Sequence, residues 1–404
     1  MRILFSTMAG SGHFHPLVPT ARALQKAGHE VAFALPEESH EAVKAAGFQV
    51  FTAGLGFQQQ LAERQGLTKE QMLARQVEMA NLSPEQRMAQ MKGMLGMFIE
   101  GFVQQRLPQL LALCEQWRPD LIVRESLEYA AGLVAEKLGI PCASLQVGGM
   151  LMDTSEPEGF TRQMDKVREA FGLKADPKLE RLYSHLHLSF MPRSFFVPPL
   201  PPTTRYLRAD VFDKSGAEGL PDWVSTLGGR PIVYATLGTA FNKLSGYLAT
   251  IADGLQHEDV ELIITVGRDM DPAVLGPRPA NVHVERYIPQ SLLLPRCALA
   301  ILHGGYSSVM SAIYAGVPSI ILPLGADQPM NAEASERIGI ARTVRPNTLT
   351  PELIRQQVRE LLADGAVRER VRRLSEDVQT LPDVEHGVAL LEQLARGKTL
   401  PAAN

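Results

Sequence analysis

Short apolar runs alternate with helical stretches along most of the chain. "RILFST" ends in a glycine-rich turn, the stretch from Pro16 to Ala27 has a helical pattern, Gly28 closes it, and "EVAFAL" starts another apolar run. Strand, glycine turn, helix, strand is a βαβ unit, whose parallel strands lie in a sheet covered on both faces. The rhythm returns in "FQVFTA", in "DLIV" leading into "YAAGLVAEKLG", and in "PCASLQV". It restarts in "RPIVYATLG", "LSGYLATIADGLQ", "VELIITVG", "CALAILHGG", "SSVMSAIYAG" and "VPSIILPLG", and "VEHGVALLEQLARG" adds an amphipathic helix at the end. The pattern predicts an α/β protein with two Rossmann-like halves.

Two segments depart from the rhythm. Residues 57–117 are helical in propensity with no strand signal, and Met88, Met91, Met94 and Met97 recur there every three residues. Such a stripe is either core or a compliant wall for a bulky apolar ligand, because methionine is flexible and polarizable. Residues 192–221, "PRSFFVPPLPPTTRYLRADVFDKSGAEGLP", are dense in proline, which stiffens the chain and is expected to exclude regular sheet. The expected division is an N-terminal Rossmann-like domain over 1–200, a proline-rich linker over 201–221, a second Rossmann-like domain over 222–380, and a final helix within 381–404. Open α/β sheets bind ligands beyond the carboxyl ends of their strands. Two such sheets facing each other make a cleft that the glycine turns at 9–12, 237–239 and 304–305 can line.

Composition narrows the partners. The 404 residues are 45% hydrophobic and 21% charged, with a formal net charge of −4, which is no footprint for nucleic acid or for anionic lipid. Cys114, Cys142 and Cys297 are scattered without C-x-x-C spacing, as expected of ordinary thiols in a reducing compartment. The first residues do not read as a secretory signal, and no apolar run reaches the roughly 20 residues needed to cross a bilayer. A cytoplasmic protein without stable membrane association is expected. The sequence carries no signature of oligomeric state, and a homodimer is compatible with it.

Candidate chemistry lies in the turns. Gly10-Ser11-Gly12 starts like the dinucleotide fingerprint G-x-G-x-x-G, but His15-Pro16 stands where the third glycine permits close helix–strand packing, so a nicotinamide or flavin site is disfavoured. Asp269 and Asp271 form a D-x-D that reads as a solvated loop. "ILHGGYSSVMSAIYAGVP" is more telling. A strand ends at His303, Gly304 and Gly305 make a turn, and Ser307 and Ser308 open a helix. Free helix N–H groups, glycines and hydroxyls make an anion site, most naturally for phosphate. The alternative is serine serving as an ordinary N-cap.

The wider segment, "RYIPQSLLLPRCALAILHGGYSSVMSAIYAGVPSIILPLGADQPMNAE", resembles the donor-binding signature of inverting nucleotide-sugar glycosyltransferases of GT-B fold, family 1. The matched residues are Pro289-Gln290, His303, Gly305, Ser308, Gly316-Val317-Pro318 and Asp327-Gln328. "GHFHPLVPTARALQKAGHEV" matches the G-H-x-x-P opening of the same family, so the resemblance spans nearly the whole chain and is nearest to the bacterial natural-product branch.

The resemblance implies two Rossmann-like domains facing each other across a cleft, acceptor in the N-terminal half and donor in the C-terminal half, with the last helix returning to the N-terminal domain. It implies sugar transfer from a nucleotide-diphosphate co-substrate to a hydroxyl of a bulky apolar natural product, such as a polyketide or aromatic aglycone, with no metal and no other cofactor. His13 takes the role of general base, for which imidazole suits because its ordinary pKa of about 6.5 lies near working pH. The carboxylate that orients it is an aspartate in the family. Counting back from Ile140-Pro141 places Glu125 there, with Glu128 as the alternative. Diphosphate contacts fall to Gly238, Thr239, His303, Gly304, Gly305, Ser307 and Ser308. Tyr287 and Ile288 lie against the base, Gln290 near it or the ribose, and Asp327 and Gln328 on the sugar hydroxyls. Phe14, Met91, Met94 and Phe98 are the acceptor-side candidates. Many UDP-sugar members hold the ribose with a glutamate at the position of Ser311, and its replacement favours dTDP over UDP and a deoxysugar donor. A carbon-glycosylating variant, an epimerase or hydrolase of the same fold, and a non-catalytic nucleotide binder remain as alternatives.

Overall fold

The computed structural model describes residues 1–56, 66, 68–83, 85–87, 89–90, 98–148, 159–197, 199–208, 219–238, 241, 243–398 and 400. These form two compact units. One comprises Met1–Met72, Leu82–Asp210 and Leu381–Asn404, and the other comprises Leu73–Asn81 and Val211–Thr380.

The first unit is built on a parallel sheet of β1 (Arg2–Ser6), β2 (Glu30–Leu35), β3 (Gln49–Thr52), β4 (Leu121–Glu125), β5 (Cys142–Leu145), β6 (Leu186–Ser189) and β7 (Thr204–Tyr206), in the order β3-β2-β1-β4-β5-β6-β7. The order reverses between β1 and β4, where Ser6 lies opposite Arg124. At such a switch point the connections leave to opposite faces of the sheet, and the carboxyl strand ends bound an open crevice. β7 corrects the expectation that the proline-rich stretch excludes sheet. Its three residues contain no proline, and among the described residues it is an edge strand paired with β6 alone, so the neighbouring prolines are asked for no ladder hydrogen bond.

Helix Val384–Ala395 also belongs to this unit. It packs on helix Val18–Lys26 and buries Val384, Val388 and Leu391. Glu392 Oε1 meets His29 Nε2 at 2.8 Å, and Arg208 N–H donates to the Pro382 carbonyl at 2.7 Å.

The second unit repeats the plan. Its strands are β8 (Ile232–Thr236), β9 (Glu261–Thr265), β10 (Val282–Glu285), β11 (Leu299–Leu302), β12 (Ser319–Ile321) and β13 (Ala341–Thr343), all parallel, in the order β10-β9-β8-β11-β12-β13. The period-2 alternation of strand side chains serves two cores here. Val233, Ala235, Leu262, Ile264 and Ile301 pack with Leu248, Ile251 and Ile354 on one face. Tyr234, Ile263, Ala300 and Leu302 pack with Leu293, Ala312 and Val317 on the other. The switch point lies between β8 and β11, where Thr236 stands opposite Leu302.

Among the described residues no helix is long and apolar enough to cross a membrane. The cysteines are free thiols, and burial pushes Cys114 and Cys297 up to about 12 and Cys142 to about 11. None of them is poised as a nucleophile.

Candidate functional site

In the first unit the site grows from the ends of β1 and β4. Gly10 takes φ +110°, a conformation side chains resist, and its carbonyl accepts the N–H groups of His13 and Phe14. Those bonds fold the short helix Ser11–Phe14. Phe14 is buried and meets Phe33 edge-on at 5.1 Å, so it anchors the turn from beneath.

Anchored this way, His13 presents Nδ1 to Glu125 Oε2 at 2.7 Å, with the imidazole 30% exposed and the carboxylate fully buried. An ionised carboxylate only accepts, so Nδ1 carries the proton and Nε2 is the basic nitrogen. Glu125 Oε1 is buried with no hydrogen-bond partner, so the bond from the imidazole to Oε2 is what compensates the burial of this carboxylate.

The alternative carboxylate is engaged elsewhere. Glu128 accepts the Ala131 N–H at 3.0 Å at the start of helix Ala130–Leu138, and its Oε1 lies 3.8 Å from Arg106 Nε. Buried Arg106 also donates to the Thr7 carbonyl. Buried Arg124 donates to the carbonyls of Glu125, Ser126 and Leu182, fixing the turn that follows β4. Phe98 is half-buried in an aromatic cluster with Phe102, Tyr129 and Phe160. Met91 and Met94 lie outside the described residues.

In the second unit the same topological position, the ends of β8 and β11, carries Gly238 and His303. The imidazole of His303 lies between two glycine backbones. A Cβ on Gly238 would come within 2.5 Å of its Cε1, and one on Gly305 within 2.4 Å of its Nε2. Burial pushes His303 down to about 4, so it is neutral near pH 7. Its Nδ1 is buried without a hydrogen-bond partner. The ring is therefore a neutral hydrogen-bonding group rather than a cation.

Gly305 is the N-cap of helix Tyr306–Ala315, and no side chain caps it, so the serines do not play the capping role the sequence left open. The first-turn N–H groups therefore keep their capacity for an anion. Gly316, at φ +67°, closes the helix, with the Val317 N–H returning to the Ala312 carbonyl, which explains the Gly-Val-Pro of the signature. Ser308 is buried, Ser307 is half-buried, and Ser311 Oγ donates back to the Ser307 carbonyl at 2.8 Å. Thr239 lies outside the described residues.

The remaining donor-side candidates sit on adjoining strand ends. Ile288 is buried, while Tyr287 and Gln290 are half-buried. Asp327 precedes helix Gln328–Arg337. Gln328 Oε1 accepts the N–H groups of Leu324 and Gly325, so its amide nitrogen is the half turned to other partners.

Sequence reasoning missed Arg268, whose guanidinium lies 3.7 Å from the Tyr287 ring centroid. Its place just beyond β9 was the available signal. Asp271, half of the D-x-D, accepts the Ala273 N–H at 3.0 Å and caps a turn. Among the described residues no group of three His, Cys, Asp or Glu could hold a metal ion.

Comparison with known proteins agrees with this architecture. Residues 22–238 match the N-terminal domain, and residues 249–394 the C-terminal domain, of the erythromycin biosynthesis protein CIII-like family. The chain is 28% identical to the 3-alpha-mycarosylerythronolide B desosaminyl transferase of Saccharopolyspora erythraea, covering 99% of this chain and 100% of that one. It is 30% identical to the L-demethylnoviosyl transferase of Streptomyces niveus, covering 93% and 94%. The crystal structure of the glycosyltransferase VinC in complex with dTDP shares the fold, with a TM-score of 0.77 over 98% of this chain and 100% of that chain at 24% identity.

Proposed function

We propose that this chain, which belongs to the erythromycin biosynthesis protein CIII-like family, transfers a deoxysugar from dTDP to a hydroxyl of a bulky, largely apolar acceptor. The family lies in the bacterial natural-product branch of the family 1 glycosyltransferases of GT-B fold, which are inverting and metal-independent. His13 Nε2 takes the proton of the acceptor hydroxyl as its oxygen bonds to the anomeric carbon. The bond from that carbon to the diphosphate breaks in the same step, and its electron pair leaves with the phosphate. Glu125 stabilises the imidazolium that forms. The first-turn N–H groups of helix Tyr306–Ala315 and the His303 ring stabilise the departing diphosphate, where fixed dipoles contribute most.

The observation that carries this reading is the 2.7 Å contact from His13 Nδ1 to buried Glu125 on a part-exposed imidazole, which puts the proton on Nδ1 and the basic lone pair on Nε2. The preference for dTDP is supported by Ser311, a short hydroxyl turned into its own helix where a carboxylate would hold a ribose. VinC binds dTDP, and the two relatives named above transfer desosaminyl and demethylnoviosyl groups. A cytoplasmic location and a polyketide or aromatic acceptor complete the proposal.

The test is turnover and dTDP affinity in His13→Ala. Turnover should fall by about 10²–10⁴-fold, the usual worth of a general base, with dTDP affinity unchanged. Unchanged turnover removes His13 from the base role.

A further inference from the structure

One fully buried side chain joins the two halves of the donor site. Asn331, in helix Gln328–Arg337, donates from Nδ2 to the Gly304 carbonyl at 2.8 Å and to Asp327 Oδ2 at 2.9 Å. Gly304 belongs to the phosphate turn and Asp327 to the proposed sugar contacts. Both partners are acceptors, so only the amide nitrogen can face them, and the orientation of the group is fixed by its neighbours. Asn331 Oδ1 is left buried without a hydrogen-bond partner. An unsatisfied buried acceptor is destabilising, so the amide is held there by what its nitrogen does.

The two turns also touch through their backbones. A Cβ on Gly304 would lie 3.2 Å from the Gln328 carbonyl oxygen and 2.7 Å from Ile321 Cγ2. Ala326, immediately before Asp327, is held at φ +52°, a strained conformation for a side-chain-bearing residue. The carboxylate of Asp327 therefore leaves a strained turn, and the Asn331 amide is one bond that holds its direction.

Resting on the donor-site reading above, we propose that Asn331 is a positioning residue that ties the sugar-binding carboxylate of Asp327 to the phosphate turn at Gly304, setting sugar and diphosphate recognition in one register. No other amide-sized side chain does the same: aspartate presents acceptors to acceptors, and alanine releases both.

The experiment measures affinity for dTDP and for dTDP-glucose in the unmodified protein, Asn331→Ala, Asp327→Ala and the double variant, with thermal unfolding confirming that each is folded. Asn331→Ser is read in the same way should Asn331→Ala not fold. The gain in affinity that glucose adds to dTDP should shrink by about fivefold or more in Asn331→Ala, a larger loss than the one affinity for dTDP alone takes from release of the Gly304 turn. The double variant should match Asp327→Ala within roughly twofold, because Asn331 acts through that carboxylate. A double variant weaker than Asp327→Ala, or an equal loss for both probes, assigns Asn331 a general structural role and overturns the proposal. No gain from glucose in the unmodified protein, or a gain that survives Asp327→Ala, instead overturns the sugar-site reading and the positioning role with it.

Discussion

At the residue scale, two histidines are placed in very different surroundings. His13 is part-exposed and holds its Nδ1 2.7 Å from a buried carboxylate. His303 is enclosed by glycine backbone and is held down to about 4 by burial. A diphosphate bound there would bring negative charge to that ring and raise its pKa, so binding at acidic pH would take up a proton there. The pH dependence of dTDP affinity between pH 5 and 7 should differ between the unmodified protein and His303→Gln, which lacks this uptake; identical profiles contradict the placement of His303 on the phosphate. Glu125→Gln keeps an oxygen for His13 Nδ1 but loses the charge, and turnover should fall by about 10²-fold with dTDP affinity unchanged. The family resemblance pointed to His13, and the count back from Ile140-Pro141 pointed to Glu125, but nothing in the sequence excluded Glu128. Both are glutamates in one strand-end turn, and only three-dimensional packing sends one to the histidine and the other to Arg106 and a helix N-terminus.

At the element scale, most readable strands were those buried on both faces as continuous apolar runs, and the edge strand β3 was read from the apolar residues within and beside it in "FQVFTA". β7, β10 and β13 escaped because edge strands of three or four residues carry polar positions. β6 escaped for another reason: His187 sits in its centre, fully buried. Its ring meets Ser144 Oγ at 2.7 Å and Gln146 Oε1 at 3.1 Å, which satisfies both nitrogens inside the sheet.

Burial, with a smaller contribution from the Arg124 cation, holds His187 at about 3. The unfolded value is near 6.5. Above 6.5 neither state binds the proton and the stability is fully present; below it the unfolded chain binds a proton that the folded chain refuses. Stability should therefore decline by about 1.4 kcal/mol per pH unit from this one group as pH falls from 6.5 toward 3. Urea unfolding of His187→Gln should show a correspondingly shallower acid slope, and an unchanged slope would sink this assignment. Within helix Tyr306–Ala315, Ser311→Glu should lower the ratio of dTDP to UDP affinity by restoring a carboxylate at the proposed ribose position. An unaltered ratio would place the selectivity elsewhere.

At the scale of the whole molecule, one plan is used twice. Each unit has a parallel sheet whose order reverses beside its first strand, and the candidate residues gather at the carboxyl ends flanking that reversal: His13 and Glu125 in one, Gly238 and His303 in the other. That repetition was legible because the βαβ rhythm restarts after the proline-rich stretch. The assignment of Leu73–Asn81 to the second unit was not, since a helix within 57–117 carries no sign of which core it joins. There Gln76 lies against Gly325, where a Cβ would come within 2.8 Å of its side chain.

The most direct test of the donor assignment is calorimetric titration of the protein and of His303→Ala with dTDP and with UDP. Tighter binding of dTDP than of UDP, lost in His303→Ala, is the expected result. Failure to bind either nucleotide, or binding that His303→Ala leaves intact, would contradict it.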